Sequence, residues 1–413
     1  MYKKKLLMPI FTGLLIGQLF AESERPFKVV NTIRVGYSDN LYRNDNNKAA
    51  TFVTDIIDLS FRAALSDRTD MMLKSQFTLL NDQGGSDIYP NIYLMLNHSV
   101  SPRLLFSLSE YYRSGEKSGG DVNAPTKNAR YNYFYNNLGG KADYVLTGKD
   151  RLIGSLNYSM LRHDKEIDTL DQTTIEAGLT WKRELIQQRT FSTLNLRQRR
   201  VTYDNKPEDT TVGATTWAYV QDDAYFDATE ISAGLNHTFN QQLQGSVEAG
   251  VTYEQPHYSD ANVTTIPFPA VLDKADNEAT LNPLLKAGLV YSPSPRTRLT
   301  GDFSLSRQAS DDDGYNGQNT SELRFGAQHD LTAKLMAKAT ARFAKITYDA
   351  QDSATGNPTD ETDNRMDIDF RLTYKLNRMH FLEAGVMHRE TDRSAGSSWE
   401  ENRVDVGWRV ELN

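Results

Sequence analysis

The side chains of this 413-residue chain that come closest to a catalytic arrangement are Asp367 and Asp369. Two positions apart on an extended segment, they share one face at about 7 Å, a separation that paired-carboxylate glycoside hydrolysis can use. Arg371 and Lys375 continue the same row, and no apolar pocket is in view to favour a protonated carboxyl. A solvated ion-pair stripe is the better reading. The seven histidines (His98, His163, His237, His257, His329, His380, His388) contain no His-x-x-x-His pair, so structural zinc is unsupported. His163-Asp164 is the nearest approach to a base beside a carboxylate. Asp311-Asp312-Asp313-Gly314 can offer oxygen ligands to a divalent cation, and through it to lipopolysaccharide phosphates. It lacks the spaced acids and closing Glu of a calcium loop and reads as a solvated tip. Gly148-Lys149-Asp150 lacks the upstream glycine of a phosphate loop, and no Gly-x-Ser-x-Gly elbow occurs. No enzyme activity, cofactor or resident metal is expected.

Two other groups suit binding rather than catalysis. Tyr93, Tyr111, Tyr133 and Tyr135 fall on one side of three successive extended segments, where an aromatic patch can stack sugar rings. The favoured, plainer reading makes them girdle or loop-packing aromatics, since one bulge reverses the parity. Arg197 and Arg199 share a face with Thr193 and Asn195, while Arg200 points the other way. Such a ladder can select anions in a pore; a charge-balanced wall, with Asp and Glu pairing it, is the favoured alternative.

All these residues ride on one repeated element. Val404 to Leu412 alternate between apolar and polar or small residues. On a strand that pattern would bury Asp405, Arg409 and Glu411 in any soluble core, whereas a wall between lipid and water satisfies both faces. Runs of about ten alternating residues recur along the chain, as membrane-spanning strands require. Short turns fall near residues 66–69, 101–103, 147–150, 187–189, 240–242, 294–296, 330–332 and 376–378. Longer polar connections lie around 40–50, 82–88, 114–127, 164–171, 205–223, 256–276, 310–317, 351–364 and 391–399. Eight short turns imply about eighteen strands. The expected fold is all-β: a transmembrane antiparallel up-and-down β-barrel with short periplasmic turns and longer extracellular loops, one domain over residues 22–413. The connections 205–223 and 256–276 are long enough to constrict its lumen.

Parity assigns the faces. Leu59, Phe61, Leu73, Phe77, Leu179, Trp181, Val247, Val251, Phe303, Leu305, Ile368, Phe370 and Leu372 point to lipid. The pore-lining set is Arg62, Lys74, Tyr111, Tyr133, Tyr135, Glu176, Lys182, Arg197, Arg199, Glu248, Asp302, Lys338, Arg342, Asp367, Asp369, Arg371, Lys375, Asp405 and Arg409. A mid-bilayer charge costs about 2–4 kcal/mol on the lipid face, so alternation across many strands is stringent.

The ends and the composition agree with this. Lys3-Lys4-Lys5 before the apolar stretch Leu6 to Phe20, with a small-residue exit at Ala21 or Ser23, predicts a signal peptide over residues 1–21. The stretch falls short of the roughly 20 apolar residues of a spanning helix. With no Cys there is neither a lipid-anchoring cysteine nor a disulfide framework. A formal net charge of -8 without a dense basic run argues against nucleic acid. A mean hydropathy of -0.58 fits a barrel, because only alternate strand residues meet lipid.

Val35-Gly36-Tyr37-Ser38-Asp39-Asn40-Leu41-Tyr42-Arg43, the Ser-Pro-Arg turns at 101–103 and 294–296 and the final strand resemble the β-barrel porin type 2 family. Asp405-x-Gly407-x-x-Val410-x-Leu412, with Trp408, also resembles the C-terminal assembly signal of Gram-negative outer-membrane barrels. The resemblance implies an integral outer-membrane barrel in contact with membrane lipid, lipopolysaccharide and the barrel assembly machinery. It also implies, for some members, a link to exopolysaccharide production. The expected function is passive passage of small hydrophilic solutes, sugars among them. The alternatives are a structural or partner-binding barrel in polysaccharide export and, less favoured, an outer-membrane enzyme.

Overall fold

The computed structural model describes residues 26–41, 49–82, 85–117, 131–163, 171–204, 208–212, 215–219, 225–257, 279–308, 315–350, 361–394 and 398–412. The expected signal peptide, the 311–314 tip, Asp164 and most of the 256–276 connection lie outside them.

In chain order the strands are β1 (Phe27–Ser38), β2 (Ala50–Ser66), β3 (Thr69–Asp82), β4 (Gly85–Ser101), β5 (Leu104–Lys117), β6 (Tyr131–Val145), β7 (Asp150–His163), β8 (Asp171–Ile186), β9 (Thr190–Asp204), β10 (Glu208–Val212), β11 (Thr215–Tyr219), β12 (Tyr225–Thr238), β13 (Leu243–His257), β14 (Thr280–Ser294), β15 (Thr297–Gln308), β16 (Tyr315–Asp330), β17 (Leu335–Ala350), β18 (Glu361–Lys375), β19 (His380–Arg393) and β20 (Trp399–Leu412). Eighteen of them form one antiparallel sheet that closes on itself. β9 passes directly to β12, and β1 joins β20 in register from Val29↔Leu412 to Ser38↔Arg403. Closure leaves no free sheet edge, the condition for crossing lipid with strands.

Residues directly opposite each other share a face, so the register carries one parity round the whole barrel. Ile33, Trp408 and Leu382 lie in one row, and Val35, Val406 and Ala384 in the next. Large apolar side chains on this face, such as Val406, Trp408, Leu179 and Ile231, are exposed, which identifies it as the outside. Polar side chains interrupt it in places. Asn31 Nδ2 donates to Asp55 at 2.5 Å and Asn136 Nδ2 to Glu110 at 3.3 Å; each amide gives a carboxylate on the apolar face a donor.

The eight expected short turns all lie at the end of the barrel that also holds Phe27 and Leu412. In several, a hydroxyl or amide oxygen accepts the N–H two residues on: Ser66 from Arg68, Ser101 from Arg103, Thr147 from Lys149, Ser294 from Arg296. These local bonds tighten the reversal without help from the rest of the fold. Two connections at the opposite end differ from expectation. Leu79 faces Ile88 on the outer face, and β3 and β4 pair as far as Asp82↔Gly85, leaving two residues where a longer loop was expected. The 205–223 connection contains the ribbon β10–β11, whose Thr210, Thr211, Thr215, Thr216 and Trp217 favour extended backbone.

Candidate functional site: the interior wall

The opposite face of each strand turns to the interior, and the strands set its charges in rows. Asp302, Arg324, Arg342, Asp367, Arg389 and Glu401 occupy one continuous row from β15 to β20. Asp367 lies 3.2 Å from Arg389 and 3.6 Å from Arg342, and Arg342 also reaches Glu322. Asp369 faces Thr340 and Met387 instead. Asp367 is thus ion-paired, but across strands to Arg342 and Arg389 rather than along the row Asp367, Asp369, Arg371 and Lys375 that the sequence suggested.

Where β19, β20 and β1 meet, glycine lets arginine cross a strand. Arg371, Gly385 and Asp405 form one row, and Arg371 passes over the glycine to reach Asp405 at 2.8 and 3.1 Å. A Cβ on Gly385 would stand 2.6 Å from that guanidinium. The adjacent row runs the other way: Arg34 crosses Gly407 to donate to Glu383 at 2.9 Å, and a Cβ on Gly407 would meet Arg34 Cγ at 2.8 Å and the Ile33 carbonyl at 3.0 Å. Gly407 therefore has a packing reason to be glycine. Of the residues expected to form an assembly signal with it, Trp408 and Leu412 are exposed on the outer face, which also carries Val410, and Trp408 stacks on His380. Arg409 lies over the Phe381 ring and 3.5 Å from Glu383.

Arg197 sits between Glu176 and Glu230 at 3.5 and 3.6 Å, whereas Arg199 rests over Phe226. Asn195 and Ser232 both donate to Glu248. Arg200 lies on the outer face and forms two hydrogen bonds with Asp227. The ladder is charge-balanced at Arg197 and capped by an aromatic ring at Arg199. The tyrosines gather as parity required: Tyr93 pairs with Tyr111, the Tyr111 and Tyr135 rings are 6.0 Å apart at 59°, and Arg113 lies over Tyr133. His163 is buried and meets Asp171 at 3.2 Å.

A model of the family described as Putative beta-barrel porin 2 matches residues 201–412. This chain belongs to that family. It is accordingly an integral outer-membrane β-barrel. Among solved structures it is similar to the FrpB iron transporter of Neisseria meningitidis, in the F5-1 apoprotein form at 8% identity and a TM-score of 0.51, over 91% of this chain and 63% of that one. The F3-3 variant gives 9% identity and a TM-score of 0.49, over 89% and 62%. The outer membrane protein OpdK of Pseudomonas aeruginosa gives 12% identity and a TM-score of 0.47, over 94% and 99%. The chain thus spans less than two thirds of the transporters, and at these identities the likeness concerns the fold. No curated protein matches the sequence.

In this porin-family barrel the short turns face the periplasm, and the interior divides into two halves. Near the extracellular ends of the strands, interior residues are buried: Phe52, Glu254, Ile346 and Glu401 are at most 1% exposed. Their carboxylates have partners: Glu254 pairs with Arg307 and Asp363 with both Arg365 and Arg393, while the Ser38 hydroxyl donates to Glu401. Val201, Tyr203, Phe226 and Ala228 form an apolar cluster at the same level. In the periplasmic half the interior side chains of Arg62, Lys74, Asp302, Arg324, Lys338 and Lys375 are exposed. Sequence reasoning missed Arg34, Glu383, Asp363 and Glu401; continued parity could have found their face, and a glycine on the neighbouring strand is what lets the arginines cross.

Proposed function

We propose that this protein is a passive diffusion channel for small hydrophilic solutes. The observation that carries it is a closed eighteen-strand wall whose interior face carries most of the charged side chains of the strands and whose outer face carries most of the exposed large apolar ones. Barrels of sixteen to eighteen strands are wide enough for an aqueous channel, whereas eight-stranded ones are filled by side chains. The predicted pore-lining set, from Arg62 to Arg409, would form the wetted wall. The packed extracellular half would set the size limit, and the periplasmic half would be a vestibule. Trp408, Val410 and Leu412 suit recognition by the assembly machinery, and the outer rim suits contact with lipopolysaccharide.

The purified full chain in a planar bilayer is expected to give stepwise, ohmic conductance with neither partner nor energy source. Silent insertion would overturn the proposal and favour the structural role in exopolysaccharide export. Sugars are a natural cargo because Tyr111 and Tyr135 present rings to the lumen beside Tyr93 and Tyr133. Oligosaccharide should then interrupt the current, and Tyr111→Ala with Tyr135→Ala should shorten those interruptions.

A further inference from the structure

We infer that the periplasmic half of the lumen and its mouth form an anion-selective vestibule, so that the favoured cargo carries carboxylate or phosphate groups. This rests on the channel reading and deepens it. The evidence lies in where cations have partners. In the extracellular half, arginines such as Arg307, Arg365 and Arg393 are matched by carboxylates. On the periplasmic half of the interior face Arg62, Lys74, Lys141, Lys338 and Lys375 make no ion pair among the described residues, and all are exposed.

The turns repeat the pattern. Arg68, Arg103, Lys149 and Arg189 stand at the first four short turns, and Arg296, Lys334 and Arg378 at the last three; only the turn at 240–242 has none. Every one is exposed, and none makes an ion pair among the described residues. Three basic side chains converge there: Arg68, Arg103 and Arg151 line a cavity of about 330 Å³ with the hydroxyls of Ser99 and Ser101. Asp143 is the single carboxylate in that lining, 3.8 Å from Arg151. Other acids at this end are fewer than the cations. Asp58 and Asp70 accept from the neutral amides of Gln76 and Asn97 and keep their charge; with Asp67, Asp302, Asp330 and Asp369 they make no ion pair among the described residues and offset part of the positive field.

Fixed cations whose charge is not cancelled nearby raise the local concentration of mobile anions. The effect reaches about 8 Å from the wall at physiological salt, far enough to bias a solute passing along it. Planar guanidinium groups also bind carboxylate and phosphate with two parallel hydrogen bonds. An anionic solute that passes the uncharged balance of the extracellular half would therefore dwell in the periplasmic half.

The test is the zero-current potential of the purified channel across a KCl gradient. The expected chloride-to-potassium permeability ratio is several-fold above one, falling below one when Arg62, Lys74, Lys338 and Lys375 are all replaced by Glu. Inorganic phosphate binding, followed by calorimetry on the detergent-solubilised full chain, should weaken about tenfold in Arg68→Gln/Arg103→Gln/Arg151→Gln, as expected for loss of charge-assisted bonds. A channel that conducts but prefers potassium would overturn this inference and leave the channel reading standing. A protein that does not conduct but binds phosphate through the three arginines would overturn the channel reading and keep the anion site. Phosphate binding unchanged in the triple variant would remove the site.

Discussion

Two ends of one interior wall treat arginine and lysine differently. At the extracellular end Asp363 is shared by Arg365 and Arg393, each only 3–4% exposed at the side chain, with Tyr348 donating to the same carboxylate. At the periplasmic end Lys338 and Lys375 stand in water, and Lys338 lies directly opposite Arg371, which takes the Asp405 carboxylate of that row for itself. Burial forces pairing, because an unmatched charge out of water is costly; exposure lifts the requirement, and the sequence is then free to leave charge uncompensated. The first arrangement makes a stiff, electrically quiet passage. The second leaves a field for solutes to feel.

The largest effect should come from breaking the buried arrangement. Asp363→Asn removes the carboxylate from two buried guanidinium groups at once, and is expected to destabilise the barrel by about 3–5 kcal/mol. Urea unfolding in lipid vesicles, followed by gel mobility, would measure it. A loss well below that range would mean that the extracellular half is wetter than its burial implies, and the contrast between the halves would fade. A smaller cost is expected for Gly385→Ala. Its methyl must displace Arg371 from Asp405, at about 1–3 kcal/mol by analogy with overpacking, whereas Gly154→Ala, with nothing within 4 Å of the new carbon, should fall within about 0.5 kcal/mol of wild type. Equal effects at both glycines in the same unfolding assay would show that Arg371 is not pinned by its row.

The fold was legible because its constraint is local and repeated. Alternation in Val404 to Leu412 already distinguishes lipid from water, and the eight short turns divide the chain without knowledge of register. Parity also placed Tyr111, Tyr135, Arg197 and Asp367 on the interior face, since no bulge intervenes on those strands. Partners were not legible. Arg34 meets Glu383 across Gly407, three residues on three strands more than 340 positions apart in part, and only the pairing register brings them together. The same holds for Arg307 and Glu254, which bridge β13 and β15. Nor could alternation foresee that β3 and β4 remain paired to their tips, or that a ribbon forms between residues 208 and 219, because both depend on short stretches without a buried face to read.

The mildest substitutions sharpen the comparison most. Lys338→Gln with Lys375→Gln removes two charges from the periplasmic half without leaving a buried group unmatched, so stability should stay within about 0.5 kcal/mol of wild type. Surface cations without a partner contribute little to folding, and neither lysine has an ion pair among the described residues. The unfolding midpoint of the double variant is therefore expected to coincide with that of the native chain while its ion preference moves toward cations. A destabilisation comparable with Asp363→Asn would show that the fold itself holds these lysines, and the periplasmic half would then resemble the extracellular half in kind, its charges serving architecture rather than passage.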